Sequence, residues 1–146
     1  MKPILYDLAH AMNSFNQLIN VMKKLRGPIG CPWDRKQTHK TLLKYLAEES
    51  AELRQAINKR DYANMEEELG DILLQVIFHA QVAQENGRFS IRDVVKTLTR
   101  KLTLRHPHVF GYKKEHRILL KGRRLKTEKD VLDNWDLLKK ISAKKP

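Results

Sequence analysis

Apolar side chains recur along the start of the chain at Ile4, Leu8, Met12, Phe15, Leu18, Ile19, Met22 and Leu25. Steps of three and four put them on one stripe, and the pattern predicts a long first helix. Gly27-Pro28-Ile29-Gly30-Cys31-Pro32 ends that helix in a loop. A second helix is expected from an N-cap at Asp34 or Thr38 to about Lys59, with Leu42, Leu46, Leu53 and Ile57 on its core face. Asp61 caps a third that ends at Asn86-Gly87 and carries Met65, Leu69, Ile72, Leu73, Val76, Ile77 and Ala80. Ser90, with Asp93 three residues on, is a variant capping box opening a fourth helix through Val94, Val95, Leu98 and Leu102, which His106-Pro107 stops. Thr127 and Asp130 cap a last helix with Val131, Leu132, Trp135 and Leu138, and the final Ser-Ala-Lys-Lys-Pro is expected to fray.

No stretch of useful length alternates with the period of a strand, and no internal repeat is present. The fold class is therefore all-α, a four- to five-helix bundle. At 146 residues the chain suits one domain with a respectable core. Helices this long in so small a chain leave apolar surface uncovered, so a dimer or tetramer is expected.

Charge adds a second theme. The net charge is +12, from 29 Lys/Arg against 17 Asp/Glu, and the 35 residues after Gly111 hold 12 basic and 5 acidic residues. Such a field attracts polyanions, and an RNA or DNA contact through residues 113–126 is one reading of it. The single cysteine, Cys31, excludes an intrachain disulfide framework and fits a reducing cytoplasm. The segment around Lys2 lacks the apolar run of a signal peptide. The apolar stretch from Ile72 to Ala80, broken by Gln75 and His79, is far short of the roughly 20 residues that span a bilayer, so no membrane partner is expected.

The chemistry lies in Glu48-Glu49-Ser50-Ala51-Glu52 on the second helix and Glu66-Glu67-Glu68-Leu69-Gly70-Asp71 on the third. Residues three or four apart share a helix face, so Glu49 and Glu52 project together, as do Glu68 and Asp71, with Glu48 flanking. The turn at Arg60 makes the helices antiparallel neighbours. Carboxylates at that density repel one another, and burying them unpaired is costly. A hard divalent cation removes the penalty and leaves positions for water and substrate phosphate. A solvated acidic face is the plainer alternative, and it suits Glu66 and Glu67. A diiron site is disfavoured, because it needs Glu-x-x-His and no histidine here has Glu three residues before it. Cys31, His79, His106 and His108 read as packing or turn residues.

The run Glu48-Glu49-x-x-Glu52, followed by Glu68-x-x-Asp71, resembles the signature of the MazG-type pyrophosphohydrolases. Three stretches strengthen the likeness: Gly30-Cys31-Pro32-Trp33-Asp34 with Gln37-Thr38-His39, the Glu67-to-Asp71 context, and Arg105-His106-Pro107-His108-Val109-Phe110-Gly111. It covers about residues 15 to 111 and resumes at Asn134-Trp135. The resemblance implies Mg²⁺-dependent hydrolysis of an NTP or dNTP between the α and β phosphates, with Mn²⁺ as a substitute, by a dimer. It makes Glu49, Glu52, Glu68 and Asp71 metal ligands and leaves Glu48 or Glu49 to activate the attacking water. Lys101 and Arg105, Trp135 and Lys139, and Trp33 and Asp34 become substrate-binding residues. In this frame residues 1–111 form the catalytic helical domain, 112–126 a basic loop insertion and 127–146 a C-terminal helix. Between Tyr112 and Lys126 the chain departs from the family pattern, with Lys113-Lys114-Glu115-His116-Arg117 and Lys121-Gly122-Arg123-Arg124 where that pattern turns acidic. The reading from a different class is a non-catalytic nucleic-acid-binding or regulatory module using this basic segment.

Overall fold

A computed structural model of the protein describes residues 4–143, with side chains from His10 onward. The segment around Lys2 and the last three residues of the expected frayed tail lie outside that range. Nine helices follow one another among the described residues: α1 (Ile4–Arg26), α2 (Pro32–Lys36), α3 (His39–Lys59), α4 (Tyr62–Glu85), α5 (Ile91–Arg105), α6 (Pro107–Phe110), α7 (Lys114–Leu119), α8 (Glu128–Asp133) and α9 (Trp135–Ala143). No strand occurs among these residues. The chain forms two compact units, one ending at Ile91 and one beginning at Arg92.

In the first unit, α1 ends in a sharp reversal that only glycine permits. A Cβ on Gly30 would sit 2.1 Å from the carbonyl oxygen of Leu25, to which the N–H of Cys31 also donates at 2.8 Å. The chain then makes α2, a turn that leaves Thr38 as the N-cap of α3. The Thr38 hydroxyl accepts from the N–H of Thr41, and the Thr41 hydroxyl accepts from the N–H of Thr38. Of the two expected caps Thr38 is used, and Asp34 lies inside α2.

At its other end α3 stops at Arg60, whose left-handed φ of 56° lets the N–H of Asp61 reach the carbonyl of Ala56 at 3.0 Å. Asp61 then caps α4 by accepting from the N–H of Asn64. The tight connection folds α3 and α4 into the most extensive helix pair of the chain. Met22, Leu42, Ile77, Phe78 and Val82 form the core, with Phe15, Leu18, Tyr45, Leu74 and Ile91 against it. Ala56 is fully buried, while the expected core residue Ile57 is half exposed.

In the second unit Leu120, Leu125, Leu138 and Ile141 form a smaller core, flanked by Tyr112, Val131 and Trp135. The stretch expected as a basic loop contains α7, because His116 is an anchor. It is 1% exposed, accepts the Lys113 N–H at Nδ1 and donates from Nε2 to the Leu104 carbonyl at 2.7 Å. The expected last helix is two helices. The buried Asn134 amide donates to the carbonyl of Asp130, which draws that carbonyl from the helical ladder, and α9 restarts at Trp135. Ser142, expected to fray, is buried in α9.

Candidate functional site

Counting from the turn explains how the carboxylates meet. Glu52 lies eight residues before Arg60 and Glu68 eight after it, while Glu49 and Asp71 lie eleven before and eleven after. At 1.5 Å per residue each pair stands at one height, about 12 and 16 Å from the connection. Glu49, Glu68 and Asp71 each present an oxygen, and these atoms all lie within 4.8 Å of one another. Oxygens on opposite sides of a magnesium ion, each at about 2.1 Å, are about 4 Å apart, so side-chain rotations that draw the three donors together by several tenths of an ångström or more would let them share a small hard cation. Glu52 is exposed beside this group and Glu48 is exposed at its edge, both near enough to raise the pKa of Glu49.

No lysine, arginine or histidine forms an ion pair with these residues among the described side chains. Glu68 is nonetheless 7% exposed and Glu49 half-buried. Burial pushes the Glu49 carboxyl above its ordinary range, reinforced by Asp71, Glu52, Glu68 and Glu48. Burial does the same for Glu68, reinforced by Glu52, Asp71 and Glu67. A raised carboxyl pKa means that the folded state holds its proton more tightly than the unfolded one. The associated stability is present below the unfolded value near 4.5 and is lost as pH rises through the raised one. Glu68→Gln is therefore expected to melt at a higher temperature than wild type in EDTA at pH 7.5, with the gap closing at pH 4. Mg²⁺ should raise the wild-type melting temperature at pH 7.5 and leave that of Glu68→Gln nearly unchanged. Thermal melts at the two pH values check both expectations.

On α4 the same face continues from Glu68 and Asp71 to Gln75 and His79 at steps of three and four. The Oε1 atom of the buried Gln75 and the Nε2 of His79 lack a hydrogen-bond partner. The His79 ring stacks on that of His39 with 3° between planes, their Nδ1 atoms 2.8 Å apart. Burial lowers the His79 pKa and the neighbouring His39 lowers it further. His79, read from the sequence as a packing residue, thus has a partner for one ring nitrogen and none for the other.

Trp33 and Asp34 both lie on α2, where Trp33 is 48% exposed and meets Tyr45 and Phe78 edge-on. This segment is tied down by Arg26, which the sequence did not single out. Its guanidinium grips both carboxylate oxygens of Glu85 at 2.6–3.1 Å and donates to the carbonyls of Asp34 and Gln37. In the last turn of α1 an arginine reads as a complement to the helix dipole, so nothing local marked it as a clamp.

In the second unit Lys101 and Arg105 are half-buried, one turn apart on α5. Arg105 lies over the Trp135 ring at 5.7 Å and donates to the Ser142 hydroxyl at 2.9 Å. Trp135 is half-buried against the leucine core, and Lys139 is exposed and paired with Asp136 at 2.7 Å. The His106 ring donates from Nδ1 to the Leu102 carbonyl near the end of α5, and among the described residues no histidine joins the carboxylate group.

Residues 37–110 match the family described as the MazG nucleotide pyrophosphohydrolase domain. The chain belongs to the MazG family. It is 59% identical over 97 residues to a Thermotoga maritima protein named nucleoside triphosphate pyrophosphohydrolase/pyrophosphatase MazG, covering 66% of this chain and 38% of that one. It is 42% identical over 121 residues to an Escherichia coli nucleoside triphosphate pyrophosphohydrolase, covering 80% of this chain and 46% of that one. The chain thus spans less than half the length of these two relatives. A crystal structure of a mazG-related protein from Thermotoga maritima superposes with a TM-score of 0.65 at 29% identity, over 86% of this chain and 98% of the other. The all-helical MazG fold expected from the sequence is the fold observed.

Proposed function

We propose that this MazG chain hydrolyses nucleoside triphosphates between the α and β phosphates, using Mg²⁺ held by Glu49, Glu68 and Asp71 with Glu52 at the margin. The observation that carries the reading is the three carboxylate donors within 4.8 Å of one another, one of them buried, with no cationic side chain paired to them. When bound, the metal supplies charge for the phosphate oxygens and acidifies water. Glu48 stands outside the donor group, so its carboxylate is free to accept the proton of the attacking water, whereas Glu49 is committed to the cation. Lys101 and Arg105 are assigned to the phosphates, the first as a compact charge and the second as a fork oriented by Ser142. Trp33, half exposed and next to Asp34 on α2, and Trp135, one turn before Lys139 on α9, are each assigned to the nucleotide as rings suited to stacking on a base. The relatives' names, nucleoside triphosphate pyrophosphohydrolase, support the substrate class.

The test is incubation with each NTP and dNTP, with and without Mg²⁺, followed by separation of the products. Monophosphate and pyrophosphate in equal amounts, absent in EDTA, are expected. Diphosphate and inorganic phosphate, or turnover that survives EDTA, would contradict the proposal. Leu69, Leu73 and Val76 form an exposed apolar stripe on α4, between 37% and 50% accessible. We assign it to contact with a second copy, and sedimentation equilibrium should return at least twice the 17.2 kDa chain mass. Among the described residues no helix is long and apolar enough to cross a membrane, and a free thiol at Cys31 suits a cytoplasmic protein.

A further inference from the structure

The basic stretch that departs from the family pattern is built as a pocket. Leu120 and Leu125 are both buried in the second core, at 0% and 5% exposure. The four residues between them must therefore arch outward and return. Left-handed backbone at Lys121 (φ 50°) and Gly122 (φ 75°) makes the reversal, and the N–H of Gly122 closes on the carbonyl of Arg117 at 2.9 Å. Lys121 bears the strain of a non-glycine residue in that region. The far end is pinned by the N–H of Leu125, which donates to the Tyr112 hydroxyl at 2.8 Å. Tyr112 in turn packs edge-on to the anchored His116.

This frame shapes an open concavity of about 360 Å³ lined by the half-buried Tyr112 and the exposed Arg117, Gly122, Arg123 and Arg124. Among the described residues the guanidiniums of Arg117 and Arg124 have no acceptor, and Arg123 spends its Nε–H on the Leu120 carbonyl at 3.3 Å. No acidic side chain lines the cavity. Asp130 borders the adjoining concavity, where its Oδ2 accepts from the N–H groups of Lys126 and Thr127, which hold its pKa below the ordinary range. A solvated charge run has neither the buried anchors nor the concavity.

We infer that the pocket formed by Tyr112, Arg117, Arg123 and Arg124 binds a compact anion carrying two phosphoryl groups. Three guanidinium forks exceed the charge of one phosphate, at most about −2, and are matched by two linked phosphates. Arg117, Arg123 and Arg124 gather around one short reversal of the chain, a span that suits a small anion better than an extended nucleic-acid strand. The inference does not depend on the hydrolytic reading, because the binding needs no metal.

The test is calorimetric titration of the full chain with inorganic pyrophosphate in EDTA. Saturable one-to-one binding is expected, weakened about tenfold or more in Arg117→Gln/Arg124→Gln, as the loss of charge-assisted hydrogen bonds implies, and retained in Lys101→Gln. Amide shifts in the wild-type protein should centre on Gly122 and Arg123, which keeps the inference testable if the double variant folds poorly. Three results overturn it: no saturable binding, binding lost in Lys101→Gln but kept in the double variant, or a single-stranded oligouridylate that binds through the same arginines while pyrophosphate does not.

Discussion

Glu68→Gln is expected to lower kcat/KM for NTP hydrolysis at pH 7.5 by roughly 10²- to 10³-fold or more, the scale on which loss of a charge-stabilising group at a reacting centre is felt. Glu68 is the buried member of the donor group, and its amide isostere keeps shape while removing the anion that the cation needs. The loss should be accompanied by a higher Mg²⁺ concentration for half-maximal rate. Glu48→Gln is the control that separates ligand from proton acceptor: its rate should fall comparably with an unchanged Mg²⁺ requirement. If Glu68→Gln hydrolyses NTPs at the wild-type rate with the wild-type Mg²⁺ dependence, the carboxylate group is not the catalytic metal site. Because the same substitution is expected to stabilise the metal-free fold, lost activity cannot be put down to unfolding. Function here is held against stability, as is common where charges are gathered for a ligand.

The carboxylates were legible because their spacing carries the geometry. Pairs three apart on each helix, at matching distances from Arg60, come to one level when the turn is tight, and Asp61 announces the turn by its capping side chain; Glu49, Glu68 and Asp71 meet there while Glu52 stays exposed beside them. The four long helices were legible for the same reason of periodicity. Other features depend on partners distant in sequence. Asn134 looks like one more polar residue of a helix, yet its amide bonding the Asp130 carbonyl splits the helix into α8 and α9. His116 lies in a run of charge that reads as solvated, and only the Leu104 carbonyl, twelve residues away, makes it a core anchor. The apolar residues of α4 form two faces where the sequence suggested one. Ile77, Ala80 and Ala83 are buried while Leu69, Leu73 and Val76 stay exposed, and periodicity alone cannot say which face a neighbour covers.

Arg26→Ala is expected to destabilise the first unit by about 2–4 kcal/mol, the range for removing one partner of a largely buried, hydrogen-bonded ion pair. The Arg26 side chain is 7% exposed and that of Glu85 35%, so Glu85 can partly resolvate, which sets the value below that of a fully buried pair. Two carbonyls, of Asp34 and Gln37, lose their donor at the same time, and the guanidinium leaves the face of Phe78, 5.5 Å from the ring centre. At a few degrees per kcal/mol for a chain of this size, the melting temperature should fall by roughly 5–15 °C. The hydrogen bond to Arg26 is the main cause that lowers the Glu85 pKa, so the pair's stability is present above the ordinary carboxylate range and is lost as pH falls through the lowered value. The gap between wild type and Arg26→Ala should therefore narrow below pH 4. Arg26→Lys keeps the charge without the fork and should recover only part of the loss, because one ammonium cannot grip both Glu85 oxygens and two carbonyls together. A variant that melts with wild type at neutral pH would show that the α2 segment is held by Gly30 and the Thr38 cap alone. If the clamp also positions Trp33 for a nucleotide, the variant assayed well below its melting temperature should show a raised KM and a largely retained kcat, since the carboxylates stand on α3 and α4.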